Sequence, residues 1–200
     1  GGLYQIGGFG QIEWTSFEQN LGYDFGAGIV AHEATINLNQ TTFEGNASGA
    51  GSVIVCHGGV VGFINSILWG NIGDQFYSSE TSGLTLLEIS YSVLEGGENI
   101  LENFPNFSFT IGSGIIDENP QFCDPNIFNY ALNENSICLN ASDNGEVIGA
   151  FDLTCSGMVS VQKDILPTKF GLTQNYPNPF NPVTKIHYTL EKDGFYTLNI

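Results

Sequence analysis

The sequence predicts an all-β parallel solenoid with coils of about 25 residues, on three observations: an internal repeat, abundant glycine and no long helical periodicity. The repeat is found by aligning Phe17, Phe43, Leu68 and Leu94, which are spaced by 26, 25 and 26 residues. Five positions before each anchor stands an apolar residue: Ile12, Leu38, Phe63 and Ile89. Two positions before it stands a small hydroxyl: Thr15, Thr41, Ser66 and Ser92. Three positions after it come Asn20, Asn46, Asn71 and then Gly97. Short strands punctuated by turn residues at this period make a solenoid, in which each coil donates one rung to a parallel sheet.

Each column has a physical reason. Rungs of a parallel sheet lie about 4.8 Å apart, so equivalent apolar side chains stack into a continuous dry core. The Asn and Gly column is expected to provide left-handed backbone at a corner, and stacked Asn side chains to hydrogen-bond up the ladder. Gly occurs 26 times, and the Leu spacing of a leucine-rich horseshoe is missing.

Composition bounds the rest. Two hundred residues with 42% hydrophobic content suffice for one folded domain and an appendage. The chain starts at Gly1 without Met or signal-peptide features and ends in a strand-like Tyr196–Ile200, so it reads as part of something longer. No run of eighteen apolar residues exists, which gives no membrane-spanning segment. The only basic residues besides histidine are Lys163, Lys169, Lys185 and Lys192, whereas residues 1–162 carry eighteen acids. Such a surface repels phosphate backbones and excludes nucleic acid as a partner. It suits solubility, salt tolerance or divalent cations, with a solvated acidic face as the plain explanation.

Cys56, Cys123, Cys138 and Cys155 contain no close pair of the kind that zinc or redox motifs use. Cys123, Cys138 and Cys155 cluster and are disulfide candidates in an exported chain, with the connectivity open; Cys56 reads as a buried small hydrophobe.

Further along come Ser66-Ile67-Leu68-Trp69-Gly70-Asn71, Asn119-Pro120-Gln121-Phe122, Ser136-Ile137-Cys138 and Ile148-Gly149-Ala150-Phe151. Their order and spacing over roughly residues 10–155 resemble the last coils of secreted bacterial proteins of the pectate-lyase-like superfamily. That resemblance implies a right-handed parallel β-helix for residues 1–116 and an irregular cap for 117–157, which would cover an otherwise open sheet edge.

Residues 158–168 read as a linker, and 169–200 as a second unit. Within it, Gln174-Asn175-Tyr176-Pro177-Asn178-Pro179-Phe180-Asn181-Pro182 closely resembles the opening of a type A sorting domain of the type IX secretion system. The prolines enforce an extended lead-in, and Ile186, Tyr188 and Leu190 alternate as the first strand of a small β-sandwich. The resemblance implies export to the medium or outer cell surface, with the type IX machinery as a partner.

Several residues are candidates for chemistry. His32 and His57 both stand eleven positions before their coil's anchor and should stack on adjacent coils, within reach of a shared metal or substrate, with Glu33 beside the first. Two surface histidines duplicated by the repeat are the alternative. Glu18, Glu44 and Glu95 share a column interrupted by Trp69; Glu18 and Glu44 would be neighbours able to hold calcium as a cofactor, or would simply form a solvated face. Trp69, with Tyr91 and Trp14, could stack on sugar rings if it faces outward, and is core otherwise.

Enzymatic readings meet the residue inventory. β-Elimination of the kind found in the resembled superfamily uses an Arg or Lys base, and none precedes Lys163; Asp24, Asp74 and Asp117 share no column for hydrolysis. The sequence therefore points to a noncatalytic binding, adhesion or stalk module for extracellular polysaccharide or other surface components. The alternative is a polysaccharide lyase or glycoside hydrolase whose catalytic coils lie upstream.

Overall fold

The computed structural model describes residues 2–23, 26–78, 83–103, 107–151, 155, 171–172 and 188–189. The chain divides into two compact units, Gly1–Gly157 and Met158–Ile200. The first is a parallel β-solenoid of about four turns with no α-helix among the described residues.

Alternating and branched residues build the rungs. The first coil comprises β1 (Leu3–Ile6), β2 (Phe9–Glu13), β3 (Ser16–Glu18) and β4 (Leu21–Gly22). The second runs through β5 (Ile29–Asn39) and β6 (Thr42–Glu44), and the third through β7 (Ala47–Ile64) and β8 (Ile67–Trp69). The fourth uses β9 (Ile72–Tyr77), β10 (Thr85–Ser90) and β11 (Val93–Leu94), and β12 (Phe107–Ile111) adds a last rung. The larger sheet follows the order β1-β5-β7-β10-β12, with β2, β4 and β9 joining at β5 or β7; the smaller is β11-β8-β6-β3. Every pairing in both sheets is parallel.

The register reproduces the repeat read from the sequence. Phe17 pairs with Phe43, Phe43 with Leu68 and Leu94 with Leu68. Ile12, Leu38, Phe63 and Ile89 are likewise successive partners. These columns face inward, and apart from Ile12 and Phe17 at the first coil they are almost wholly buried. Phe17 stacks on Phe43 with ring centroids 4.6 Å apart and planes 6° from parallel, and Phe63, Phe76 and Phe107 continue upward through edge contacts. Cys56 sits in a small-residue column with Ala31 and is 1% exposed.

Left-handed backbone marks three corners per coil. One contains Gly7, Glu33 and Gly58; the next Trp14, Gln40, Asn65 and Tyr91; the third Gln19, Gly45, Gly70 and Gly96. The expectation that Asn20, Asn46 and Asn71 take this conformation is corrected: the residue just before each of them does, and the Asn side chains bond instead. Asn46 Nδ2 donates to the Phe17 carbonyl at 2.7 Å and to Asn71 Oδ1 at 2.9 Å, while its own Oδ1 accepts from Asn20 Nδ2 at 3.0 Å. One amide satisfies buried backbone and both neighbouring rungs, which only a carboxamide can do. The hydroxyl column works similarly: Thr41 Oγ1 donates to Ser66 Oγ at 2.9 Å, and Ser66 Oγ to the Ile64 carbonyl at 2.7 Å.

Beyond the coils, β13 (Phe122–Asp124) and β14 (Asn129–Leu132) form an antiparallel pair. With Cys138, Val147 and Ile148 this segment covers Ile67 and Val93 in a second apolar cluster. A disulfide joins Cys123 to Cys155. Cys138 is a free buried thiol, so its candidacy for a disulfide is withdrawn: the bond forms between the two cysteines outside the apolar cluster, and Cys138 fills space within it. In the second unit, β15 (Gly171–Leu172) pairs antiparallel with β16 (Tyr188–Thr189).

Candidate functional site

Strand alternation puts two mostly polar columns, broken on one rung by Gly62 and Ile64, on the outer face of the larger sheet. Gln11, Asn37, Gly62, Glu88 and Thr110 are consecutive register partners across five rungs. Two positions along each strand lie Glu13, Asn39, Ile64 and Ser90. Together they line a groove of about 540 Å³ that runs parallel to the solenoid axis. Gly62 lets the Asn37 amide lie across it, since a Cβ there would come 2.8 Å from Asn37 Oδ1. Gln11 Nε2 donates to Glu13 Oε1 at 2.7 Å, and Asn39 Oδ1 accepts from Asn65 Nδ2 at 3.1 Å. Amides, hydroxyls and two carboxylates along an open trough can hydrogen-bond an extended polymer of repeating hydroxyls. Sequence reasoning missed this groove because its main column mixes Gln, Asn, Gly, Glu and Thr, which no single-residue rule groups.

The histidine pair is formed. His32 and His57 are register partners with ring centroids 4.5 Å apart, flanked by Tyr4 and Tyr77 at 6.0 and 6.1 Å. Burial, and secondarily the neighbouring His32, lowers the pKa of His57 and favours its neutral form. Glu33 is exposed and occupies a left-handed corner.

The glutamate column contributes to structure. Glu18 and Glu44 are register neighbours, and Glu44 is opposite Trp69. Further along, Glu95 Oε2 accepts from the Gly70 amide at 2.8 Å, and Asp117 Oδ1 from the Gly96 amide at 2.8 Å, so acids satisfy the N–H groups of two turn glycines. Glu44 is instead covered by the cap, where the Tyr130 hydroxyl donates to its carboxylate. Burial is the largest cause of its raised pKa, and Glu18 adds to it against the lowering by Tyr130 and Gln19. Its Oε2 is buried without a hydrogen-bond partner. Among the described residues no group of three or more His, Cys, Asp or Glu gathers as a metal site, so Glu18 and Glu44 stand as two ligands where calcium takes six to eight oxygens.

Trp69 is partly buried against the cap cluster of Ile67, Val93, Leu132 and Val147, which commits its ring to packing. Trp14 is half-exposed at a corner. Asp74 pairs in register with Ser52 and Asp117 binds the Gly96 turn, so these two acids do not converge; Asp24 lies outside the described residues. The segment Gln174–Pro182 also lies outside them. Fold and surface together define an all-β parallel solenoid that carries a polar trough along its axis. Comparison with protein-family models, curated proteins and solved structures finds no match.

Proposed function

We propose that this chain is the coil-and-cap portion of an exported, right-handed β-helix that acts by binding an extracellular glycan in the outer groove. The observation that carries the reading is the trough itself. Polar groups recur there at the rung spacing across five rungs, with Gly62 at the centre. Glu13 and Glu88, with no Lys or Arg before Lys163, favour a neutral or amino-bearing chain over a polyuronate. The Gln174–Pro182 segment, through its resemblance to sorting domains, supports delivery by the type IX machinery to the medium or outer surface.

A polysaccharide array tests the binding. Retention of neutral or amino-bearing polymers, lost when Asn37→Ala and Glu88→Gln are combined, supports it; a flat array, or binding that survives the double change, overturns it. For delivery, a truncation from Phe170 onward should stay inside the cell envelope, and its normal appearance in the medium would refute the sorting role.

A further inference from the structure

We infer that His32 and His57 form a two-imidazole site for a late first-row divalent metal ion, with copper(II) bound ahead of zinc(II). The two residues are direct register partners on β5 and β7, so the hydrogen bonds of the sheet hold them one rung apart. Alternation places both rings on the same face, with centroids 4.5 Å apart and planes inclined by 41°. Two ligands that each stand about 2.0–2.1 Å from one ion have nitrogens roughly 3–4 Å apart. Ring nitrogens at this centroid separation fall in a range that includes that span.

A second observation points to a ligand. Both side chains are half-buried, and Nδ1 of His57 is buried without any hydrogen-bond partner. An imidazole nitrogen in that position leaves either a lone pair or an N–H unsatisfied. Coordination through Nδ1, with the ring proton on Nε2, removes the deficit.

The donors select the ion. Neutral nitrogens suit copper, nickel and zinc, with copper strongest, and are poor ligands for calcium or magnesium. No third His, Cys, Asp or Glu joins the pair among the described residues, so the ion keeps positions for water or an incoming ligand. Tyr4 and Tyr77 flank the two rings and limit approach along the ladder.

Calorimetric titration of the whole chain with copper(II) and zinc(II) near neutral pH tests the inference, with His187→Ala removing the one remaining histidine. The expected result is one equivalent at submillimolar copper, zinc weaker, and His187→Ala unchanged. His32→Gln and His57→Gln should each weaken binding by at least about tenfold, the scale on which even outer partners of a ligand count. Copper electron paramagnetic resonance on the unaltered chain gives an answer independent of variant folding. Coupling to two imidazole nitrogens supports the site; coordination by terminal amine and backbone nitrogens alone overturns it, as does copper affinity identical in both glutamine variants.

Discussion

Gln19 Nε2 donates to the hydroxyl of Tyr130 at 3.3 Å, joining a first-coil corner to the cap across 111 residues of sequence. Tyr130 is 1% exposed and passes its own proton toward Glu44, and burial holds its pKa up at about 12. This chain of contacts places a titratable carboxyl where the cap meets the coils.

Because the folded-state pKa of Glu44 is raised above its ordinary value of 4.5, ionisation of Glu44 opposes folding. Its penalty is absent at pH values below 4.5, where both states are protonated, and is complete once pH exceeds the folded pKa. Stability contributed at this site therefore falls as pH rises through that window. Thermal melts of Glu44→Gln beside the unaltered chain should show the variant gaining more at neutral pH than at pH 4.5. An equal difference at both values counts against the raised pKa.

Asn46 is fully buried and bonds to two rungs and to backbone at once. Asn46→Ala strands several of these partners, each costing about 1–3 kcal/mol when left unpaired, so a loss of at least about 3 kcal/mol is expected. Asn20→Ala, at the partly solvated end of the ladder, should lose roughly 1 kcal/mol. Urea midpoints at constant m-value measure both.

Gly59 adopts φ of 94°, and a Cβ on it would overlap the carbonyl oxygen of Ala34 on the adjacent rung. Backbone has no flexible end to move aside. Gly59→Ala should cost about 3 kcal/mol or more, whereas Gly83→Ala, with φ of 80° but open space around it, should cost about 1–2 kcal/mol. The order of their melting temperatures decides the point.

Reducing the Cys123–Cys155 disulfide opens a loop of 32 residues and should remove roughly 3–4 kcal/mol of stability. Cys56 and Cys138 should stay unlabelled by iodoacetamide in the native chain, since burial lifts their thiols to about 12 and about 11. Mass spectrometry before and after reduction counts the reactive sites. Early labelling of Cys138 would contradict its enclosure.

Side-chain identity showed some of this and hid the rest, for identifiable reasons. Columns such as Phe17, Phe43, Leu68 and Leu94 were legible because stacking repeats one chemistry at one spacing. The corner that contains Trp14, Gln40, Asn65 and Tyr91 was not, because closure of the coil imposes left-handed backbone on residues with no preference for it. The outward histidines were legible through their shared offset. Tyr130 was not, since nothing local says that a cap residue will reach Glu44.

The Asn ladder ends at Asn71, because its next member is Gly97. Rung-to-rung bonds run along the axis, so a tether that pulls from one end loads every interface in series, and the least braced one yields first. The third and fourth coils are held at this corner by the Gly70 amide on Glu95, without a carboxamide rivet, while the Ser66 amide on Ser92 Oγ braces them at the preceding corner. In single-molecule stretching this seam is the expected fuse, separating the coils below it from those above as two mechanical segments.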